Sequence, residues 1–358
     1  MTLLPFEQRL GAFVQLGKVF GSFGRSASTD ESGRSAWPGF SCGLSEQEYA
    51  DFDRAIHRSG LVNGWFTGAN VRHMLASLAE MLDEHALREW IGKPMDAVEQ
   101  RTVGIIMAGN IPLVGFPDLL CVVLSGHSVR VKPSSQDNVL IPAVVEILER
   151  FAPGINQHIC VEDGRLGAVD AIIATGSNNT ARYFEHYFGH LPRLLRKGRV
   201  SLSVLDGSES DVELAALGED VFRYFGLGCR NVSKLYVPRN FDLDRFFGAI
   251  YPWKEVVHHN KYGNNYDYNK AIWLLERVPM LENGFILLRE TDALASPVAS
   301  LHYERYDDHA AVLAGLAAHS DRIQCIVGHG HVPFGRSQYP SLKDYADGVD
   351  TMAFLAGL

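Results

Sequence analysis

The chain has 358 residues, 46% of them hydrophobic, so it can bury the cores of about two domains of ordinary size. This composition excludes a largely disordered protein. The formal net charge of -9 provides no positive field for an extended polyanion, which argues against general nucleic-acid binding.

The N-terminal residues 1–20 predict an amphipathic surface helix and no signal peptide, because Glu7 and Arg9 interrupt their apolar stretch. Residues 103–126 are apolar over a length that could cross a bilayer. Two prolines, an asparagine and an aspartate interrupt that window, which favours a strand, a turn and a buried helix. Five scattered cysteines, none in a CxxC or CxxH pair, indicate a reducing compartment, so we expect a cytoplasmic protein without a transmembrane segment.

The first hundred residues are expected to be helical, since apolar side chains recur at helical spacing over residues 71–91. The Gly/Ser-rich residues 21–39 predict a loop or mobile arm. From Thr102 onward, short β-rich runs alternate with helical patterns, which predicts parallel sheets with helices on their faces. The first series of strands is expected in TVGIIMA, HSVRVKP, HICVE and VDAIIATG, with helices at 113–124, 139–151 and 179–188. The second series is expected in VSLSVL, SKLYVP, GFILLRE, VASLHYE and IQCIV, with helices at 211–225 and 309–319.

These patterns predict an α/β fold with two domains. Residues 1–207 are expected to form the N-terminal helical segment plus a nucleotide-type domain. Residues 208–335 are expected to form the second domain, and residues 336–358 a tail whose packing the sequence does not determine.

Cys229 is the one cysteine whose setting suits a nucleophile. Cys121, Cys160 and Cys325 lie inside apolar runs and are expected to be buried core residues. Cys229 follows a helical segment and two glycines, which let the backbone bend and present the thiol beside its own backbone N–H. Neighbouring Arg230 could lower the thiol pKa. An inert thiol at this junction is the alternative.

Polar residues also follow the predicted strands of the first series, where open α/β sheets bind ligands. The residues are Asn110, Lys132, Ser134, Ser135, Gly176 and Ser177. Helix capping is the alternative for each of them taken alone. Because the carboxyl ends of parallel strands share one edge, the joint occurrence favours a common site.

These residues carry a resemblance to a known family. Asn110 after a strand, KPS from Lys132, TGS from Thr175 and the Gly-Cys pair at Cys229 resemble the aldehyde dehydrogenase superfamily. The runs GNIPLVGFPD, ATGSNNTARYFEHYFG, GLGCRNVSKLYVP, YPWKEVV, NKYGNNYDYNKA and PFGRSQYPSLKDYADGVDTMAFL more closely resemble its acyl-CoA reductase branch, which includes the fatty acyl reductase of bacterial bioluminescence. The resemblance runs from about Val103 to the C-terminus. It implies two doubly wound, Rossmann-like parallel-sheet domains with the active site between them.

The resemblance also implies roles for individual residues. Cys229 is similar to the catalytic nucleophile, and Asn110 to the amide that forms an oxyanion hole with the Cys229 backbone N–H. Lys132 and Ser134 are similar to the pair that reaches the adenosine ribose. Gly176 and Ser177 are similar to the loop that approaches the pyrophosphate.

Three departures from the family pattern are informative. The run SVLDG stands where aldehyde-oxidising members carry a glutamate base, and Asp206 is its only carboxylate. Ser135 stands where NAD-preferring members often carry a glutamate, so the resemblance implies NADPH, with NADH as the alternative. Residues 293–298 lack the carboxylate that holds the nicotinamide ribose.

The resemblance therefore implies reduction of an acyl-CoA to an aldehyde through a thioester on Cys229, with coenzyme A as leaving group. An aldehyde dehydrogenase that forms a carboxylate, with Asp206 as base, is one alternative. A cofactor-binding subunit that acts with an acyl-transferring protein partner is another. A thiol hydrolase pairing Cys229 with His258 or His259 is a third, and a homo-oligomer remains open.

Three further features have interpretations without a catalytic role. The basic run at residues 193–199 predicts a solvated loop, or a contact to a cofactor phosphate. Tyr262, Tyr266 and Tyr268 predict either an acyl channel or a structured turn. His329 and His331 have no carboxylate nearby in the sequence, so no metal is expected.

Overall fold

The computed structural model describes residues 4–24, 35–92, 99–176 and 178–358. It contains two compact units, which we call unit 1 (Met1–Lys197 with Tyr339–Leu358) and unit 2 (Gly198–Gln338). The α-helices of the described residues are α1 (Phe6–Gly24), α2 (Glu46–Val62), α3 (Gly68–Met81), α4 (Glu84–Ile91), α5 (Phe116–Leu124), α6 (Leu140–Phe151), α7 (Asn178–Phe188), α8 (Asp211–Phe222), α9 (Leu243–Ala249), α10 (Asn260–Leu275), α11 (His309–Ala317) and α12 (Thr351–Ala356). The strands are β1 (Thr102–Ile106), β2 (Ser128–Lys132), β3 (Ile159–Val161), β4 (Ala171–Thr175), β5 (Arg193–Arg196), β6 (Val200–Val204), β7 (Val232–Pro238), β8 (Leu281–Glu282), β9 (Leu287–Glu290), β10 (Ser300–Tyr306) and β11 (Ile323–Val327).

Unit 1 is built on a parallel sheet in the order β3-β2-β1-β4-β5. The sheet is doubly wound, since the chain moves outward from β1 first on one side and then on the other. β1 and β2 carry buried aliphatic side chains, and α5, which follows β1, is almost wholly buried. The predicted α/β pattern of this segment is confirmed, and the carboxyl ends of its strands lie along one edge.

Helix α1 belongs to the core of unit 1. Its side chains Leu10, Phe13, Leu16 and Phe20 are completely buried. Even Arg9 is buried, and its Nη1 donates to the Val123 carbonyl at 2.8 Å. The predicted helix is confirmed, and it is amphipathic, since Glu7, Gln8 and Lys18 are exposed. The prediction that it lies on the surface is wrong, because its apolar side is enclosed in the core of unit 1. The predicted loop or arm at 21–39 begins inside α1 and then lies partly outside the described residues.

The basic run is ordered by the C-terminal segment. Arg193–Arg196 forms β5, and buried Arg196 pairs with Asp118 at 2.6 Å and donates to Thr351 Oγ1 at 2.8 Å. Burial lowers the pKa of Arg196, but the Asp118 carboxylate outweighs it and the net pKa is raised. The expected solvated loop is wrong for β5, because Leu194 and Arg196 are buried against the rest of unit 1. The sequence did not determine how the C-terminal tail packs. In the structure the tail packs on unit 1 through α12.

Unit 2 contains a six-stranded sheet in the order β11-β6-β7-β10-β9-β8. All neighbours run parallel except β8 and β9, which pair antiparallel. β6 lies between β11 and β7 in this sheet, so the chain enters unit 2 at Gly198. The predicted boundary after residue 207 is thus too late, because it assigned β6 to the first domain.

Helix α10 contains the tyrosine-rich run, so of its two interpretations, an acyl channel or a structured turn, the turn is wrong. Tyr262 is buried and its hydroxyl donates to the Phe285 carbonyl at 3.0 Å. Tyr266 is also buried and donates to Glu282, whereas Tyr268 is exposed. A polar helix of this kind has no clear apolar period, which explains why the pattern was misread. Within the part of the chain that the structure describes, no helix is long and apolar enough to cross a membrane.

Candidate active site

The structure brings the predicted cofactor residues of unit 1 to one edge of its sheet. Lys132 is the last residue of β2, and Gly176 directly follows β4. β1 pairs with both β2 and β4. The Met107 N–H donates to the Lys132 carbonyl at 3.0 Å, so the pairing with β2 continues to three residues before Asn110. Asn110 is exposed at this edge. Ser177 lies outside the described residues.

The segment after β1 and the segment after β2 are in direct contact. A Cβ placed on Gly109 would lie 2.6 Å from Ser134 Oγ, so only glycine permits this approach. Ser134 is itself held in a turn, because its Oγ accepts the Gln136 N–H at 3.2 Å and its carbonyl accepts the Asp137 N–H at 2.9 Å. Ser135 is exposed next to it. Asn110 and the predicted ribose-binding residues thus belong to one packed edge.

Two buried side chains hold the backbone on either side of Asn110. Asn63 Nδ2 donates to the Gly109 carbonyl at 3.3 Å, and Asp137 Oδ2 accepts the Leu113 N–H at 2.8 Å. Leu113 has a left-handed backbone with φ of 53°, which is uncommon for a leucine. The sequence analysis missed both Asn63 and Asp137, because a contact from a side chain to a distant backbone group leaves no periodic pattern.

The segment that carries Cys229 is bent sharply after α8. Tyr224 and Phe225 have left-handed φ values of 53° and 59°, and Gly226 follows at 76°. Positive φ at two bulky residues in succession costs conformational energy and needs support from the surroundings. The Asn231 N–H donates to the Gly228 carbonyl at 3.0 Å and closes a turn around Cys229, which is partly exposed.

Asn231 is the support for this bend. Its Oδ1 accepts the Gly228 N–H at 2.8 Å, and its Nδ2 donates to the carbonyls of Asp220 at 3.0 Å and Arg223 at 2.7 Å. One buried amide therefore joins the end of α8 to the turn that carries Cys229. On the other side, Ser201 Oγ donates to the Cys229 carbonyl at 2.9 Å. Neither residue was singled out from the sequence, although Asn231 lies two residues from the cysteine.

The environment of the other cysteines differs from the prediction. Cys121 is buried, and burial raises the pKa of its thiol. Cys160 is exposed and Cys325 is partly exposed, so the prediction that both are buried core residues is wrong. Cys160 lies in β3 and Cys325 in β11, and both strands are only partly buried. Arg230 is anchored next to Cys229, since its Nε donates to the Ser337 carbonyl at 2.6 Å.

Asp206 is engaged by an imidazole. His329 Nδ1 lies 2.9 Å from Asp206 Oδ2, and His329 Nε2 lies 3.0 Å from Glu213 Oε1. Hydrogen bonds from Ser208 and then from His329 hold the pKa of the Asp206 carboxyl well below its usual range. The Asp206 and Glu213 carboxylates raise the pKa of His329 to about 9. A carboxylate with so low a pKa is a poor base for activating water.

The same cluster corrects the expectation that His329 has no carboxylate near it. Asp206, Glu209 and His329 offer ligand atoms within 4.8 Å of one another. However, Glu209 accepts the backbone N–H groups of Asp206 at 2.6 Å and Gly207 at 3.1 Å, and both ring nitrogens of His329 lie within hydrogen-bond distance of carboxylates. The donor set therefore suits an ion-pair network, which folding assembles from residues far apart in the chain.

No family model matches the chain. Two curated relatives are similar in sequence: long-chain acyl-protein thioester reductase 2 of Photobacterium leiognathi, 22% identical over 221 residues, and long-chain acyl-protein thioester reductase of Aliivibrio fischeri, 23% identical over 171 residues. The matches cover 55% and 42% of this chain, but only 45% and 36% of the relatives. The matched region thus spans less than half the length of either curated relative.

Solved structures match over more of the chain. The aldehyde dehydrogenase KauB of Pseudomonas aeruginosa has a TM-score of 0.63 and 14% identity, covering 90% of this chain and 76% of its own. A P. syringae indole-3-acetaldehyde dehydrogenase in complex with NAD+ and IAA has a TM-score of 0.61 and 14% identity, covering 87% and 69%. The chain has the aldehyde dehydrogenase fold. The expected resemblance is confirmed to this extent: the fold is that of aldehyde dehydrogenases, and the sequence is similar to those of two long-chain acyl-protein thioester reductases.

Proposed function

We propose that the protein reduces an acyl thioester, such as an acyl-CoA, to an aldehyde with NADPH as the reductant. The observation that carries the proposal is the turn at Cys229, a partly exposed residue whose backbone is held by Asn231 and Ser201. Such a fixed, accessible cysteine suits a nucleophile that forms a covalent intermediate. The similarity to acyl-protein thioester reductases supports the choice of an acyl thioester as substrate.

Cys229 is proposed to attack the thioester carbonyl as a thiolate. The Asn110 amide and the Cys229 backbone N–H donate hydrogen bonds to the resulting oxyanion. Its collapse breaks the bond to the coenzyme A sulfur and leaves the acyl group on Cys229. The Asn110 amide and the Cys229 N–H would also stabilise the second oxyanion, which would form on Cys229 when the acyl group accepts a hydride from the bound cofactor. Collapse of that species releases the aldehyde and restores the Cys229 thiolate.

The carboxyl edge of the unit 1 sheet is the proposed site of a nicotinamide dinucleotide. NADPH, when bound, supplies the hydride. Lys132, Ser134, Gly176 and Ser177 are proposed to hold the cofactor, since they follow β2 and β4 at the carboxyl ends of neighbouring parallel strands, where open α/β sheets bind ligands. A neutral hydroxyl at Ser135 does not repel a 2′-phosphate, which favours NADPH over NADH.

The state of Asp206 supports reduction over oxidation to a carboxylate. The rival reaction needs a base that activates water to hydrolyse the acyl-enzyme. Asp206 is paired with His329 and its pKa is held low, so it activates water poorly. An acyl-enzyme that escapes hydrolysis is what exchange with a thiol requires.

The decisive experiment follows the oxidation of NADPH with acyl-CoA as substrate and identifies the aldehyde. Cys229→Ala should abolish aldehyde formation, and Asn110→Ala should lower kcat by about 10²–10³. Cys160→Ala is the matched control, because Cys160 is also accessible but lies in unit 1. Aldehyde release by Cys229→Ala at the wild-type rate would overturn the proposal, as would carboxylate formation from aldehyde and NADP+ without coenzyme A.

The names of the curated relatives favour one further form of this function, in which a protein presents the acyl group. In that form the chain works with an acyl-transferring partner. Comparing acyl-CoA with the same acyl group on a carrier protein distinguishes the two. A preference in kcat/KM for the protein-bound thioester would assign the partner-dependent form.

A further inference from the structure

We propose that Asp137 is a positioning residue for Asn110, acting through the backbone N–H of Leu113. This inference rests on the proposed function, in which Asn110 donates to the oxyanion. Asp137 follows β2 and Asn110 follows β1, so the contact joins two neighbouring segments of the same sheet edge. The function proposed above assigns Asp137 no role.

The environment of Asp137 is unusual for a carboxylate. Its side chain is 4% exposed, and among the described residues no hydrogen bond reaches Oδ1. Its other oxygen, Oδ2, accepts the Leu113 N–H at 2.8 Å. Burial raises the pKa of Asp137 to about 7, against the opposing effect of the Leu113 and Leu140 amides. Burying a carboxyl with an unsatisfied oxygen lowers the stability of the fold. A carboxyl at this position therefore indicates a role other than stability, and its contact with Leu113 supplies one.

Leu113 is the point at which the turn is fixed. Its φ of 53° is left-handed, and its side chain is buried. Its N–H is held by Asp137, and its carbonyl accepts the Phe116 N–H at 2.9 Å where α5 begins. Both backbone groups are thus used, so the bond to Asp137 keeps the leucine in a conformation that it would otherwise leave.

The geometry transmits this constraint to Asn110 from both sides. Asn63 holds the Gly109 carbonyl just before Asn110, and Asp137 holds the Leu113 amide three residues after it. An oxyanion donor must lie about 2.7–3.1 Å from the developing charge, so a small shift of the turn removes its contribution. The ends of the turn are therefore as important as the amide itself.

A double-mutant cycle tests this coupling, with Asp137→Ala and Asn110→Ala made singly and together. Asp137→Ala should lower kcat about 10-fold to 100-fold in the wild-type background, because the donor is displaced. In the Asn110→Ala background the same substitution should change kcat little, since no donor remains to be displaced. Asp137→Asn should recover part of the lost activity, because its amide oxygen still accepts the Leu113 N–H. Equal losses in both backgrounds would overturn the proposal.

Asp170→Ala is the matched control. Asp170 Oδ2 accepts the Thr102 N–H at 2.7 Å, so it is also an aspartate bound to a backbone amide, but at the amino end of β1. Its removal should leave kcat and the coupling to Asn110 unchanged. A loss of kcat equal to that of Asp137→Ala would show a general effect on the sheet and overturn the positioning role.

Hydrogen exchange separates a failure of this inference from a failure of the proposed function. The peptide containing residues 111–113 should exchange faster in Asp137→Ala than in the wild type, and not in Asp170→Ala. If Asn110→Ala leaves kcat unchanged, the assigned function of Asn110 fails while the exchange result still tests the contact. Unchanged exchange in folded Asp137→Ala, or in Asp137→Leu where the alanine variant does not fold, overturns the inference itself.

Discussion

At the scale of single residues, the proposed chemistry depends on side chains that hold backbone groups. Asn231 satisfies two carbonyls near the end of α8 and the amide of Gly228 at once. Buried amides of this kind are costly to remove, because each lost bond leaves a buried polar group without a partner. The thiol of Cys229 is thus presented by a backbone whose shape is set by neighbours that take no part in the reaction.

The raised pKa of His329 predicts that the stability of the protein depends on pH. Its pKa is raised from an ordinary value of 6.5 to about 9 by Asp206 and then Glu213. A raised pKa in the folded state stabilises the protein fully below pH 6.5, and this contribution is lost as pH rises toward 9. The free energy of unfolding should therefore fall across this window in the wild type, and His329→Gln should show a weaker dependence. Because the side chain is 40% exposed, the effect should diminish with added salt.

His331→Gln is the control for that measurement, since His331 is exposed two residues away. Denaturant unfolding of the three proteins below pH 6.5 and above pH 9 checks the prediction. A pH dependence in His329→Gln equal to that of the wild type would show that the ion-pair network contributes nothing in this window.

At the scale of elements, the edge of the unit 1 sheet predicts a cost for any side chain on Gly109. A Cβ there would meet Ser134 Oγ at 2.6 Å and Ser134 Cβ at 2.7 Å, so the segments after β1 and β2 must separate. Gly109→Ala should raise KM for NADPH, because Ser134 is a proposed cofactor residue, and should also lower kcat through Asn110. Gly164→Ala is the control, since nothing lies within 4 Å of its added Cβ. Steady-state kinetics at varied NADPH would contradict the prediction if both variants matched the wild type.

The same elements show what the sequence could and could not predict. Strands such as β1 and β4 were found because their side chains are buried on both faces, which leaves an unbroken apolar run. β5 was missed because its two arginines obscure the strand pattern, and the partners that allow Arg196 to be buried, Asp118 and Thr351, are far from it in the sequence. Helix α10 was missed because its buried tyrosines are mixed with polar residues.

The residues of the candidate site likewise divide into those that the sequence predicted and those that it did not. Cys229 and Asn110 were predicted as site residues by motif and by their positions at the ends of elements, and they stay predictions. Asn231, Asp137 and Asn63 were not, because each acts on a backbone group and a side chain of many types can stand at such a position. Folding brings these partners together from positions far apart in the sequence, and a periodic pattern does not predict such contacts.

At the scale of the whole chain, unit 1 is discontinuous. The chain leaves it after Lys197 and returns at Tyr339, so unit 1 includes residues that precede unit 2 in the sequence and residues that follow it. The returning segment is part of the core: Leu355 is 1% exposed, and its carbonyl lies 3.1 Å from His127 Nε2. Unit 1 therefore cannot be completed until residues 339–358 have been synthesised.

This connectivity makes a prediction about stability. Leu355→Ala should lower the free energy of unfolding by about 2–5 kcal/mol, because it leaves a cavity beneath α12. Met352→Ala is the matched control on the same helix, where the side chain is only half-buried, and should cost less. The peptides of α5, which packs against α12, should lose protection from hydrogen exchange in Leu355→Ala. Equal costs in the two variants would contradict a core role for Leu355, and unchanged protection in α5 would contradict the coupling of the tail to unit 1.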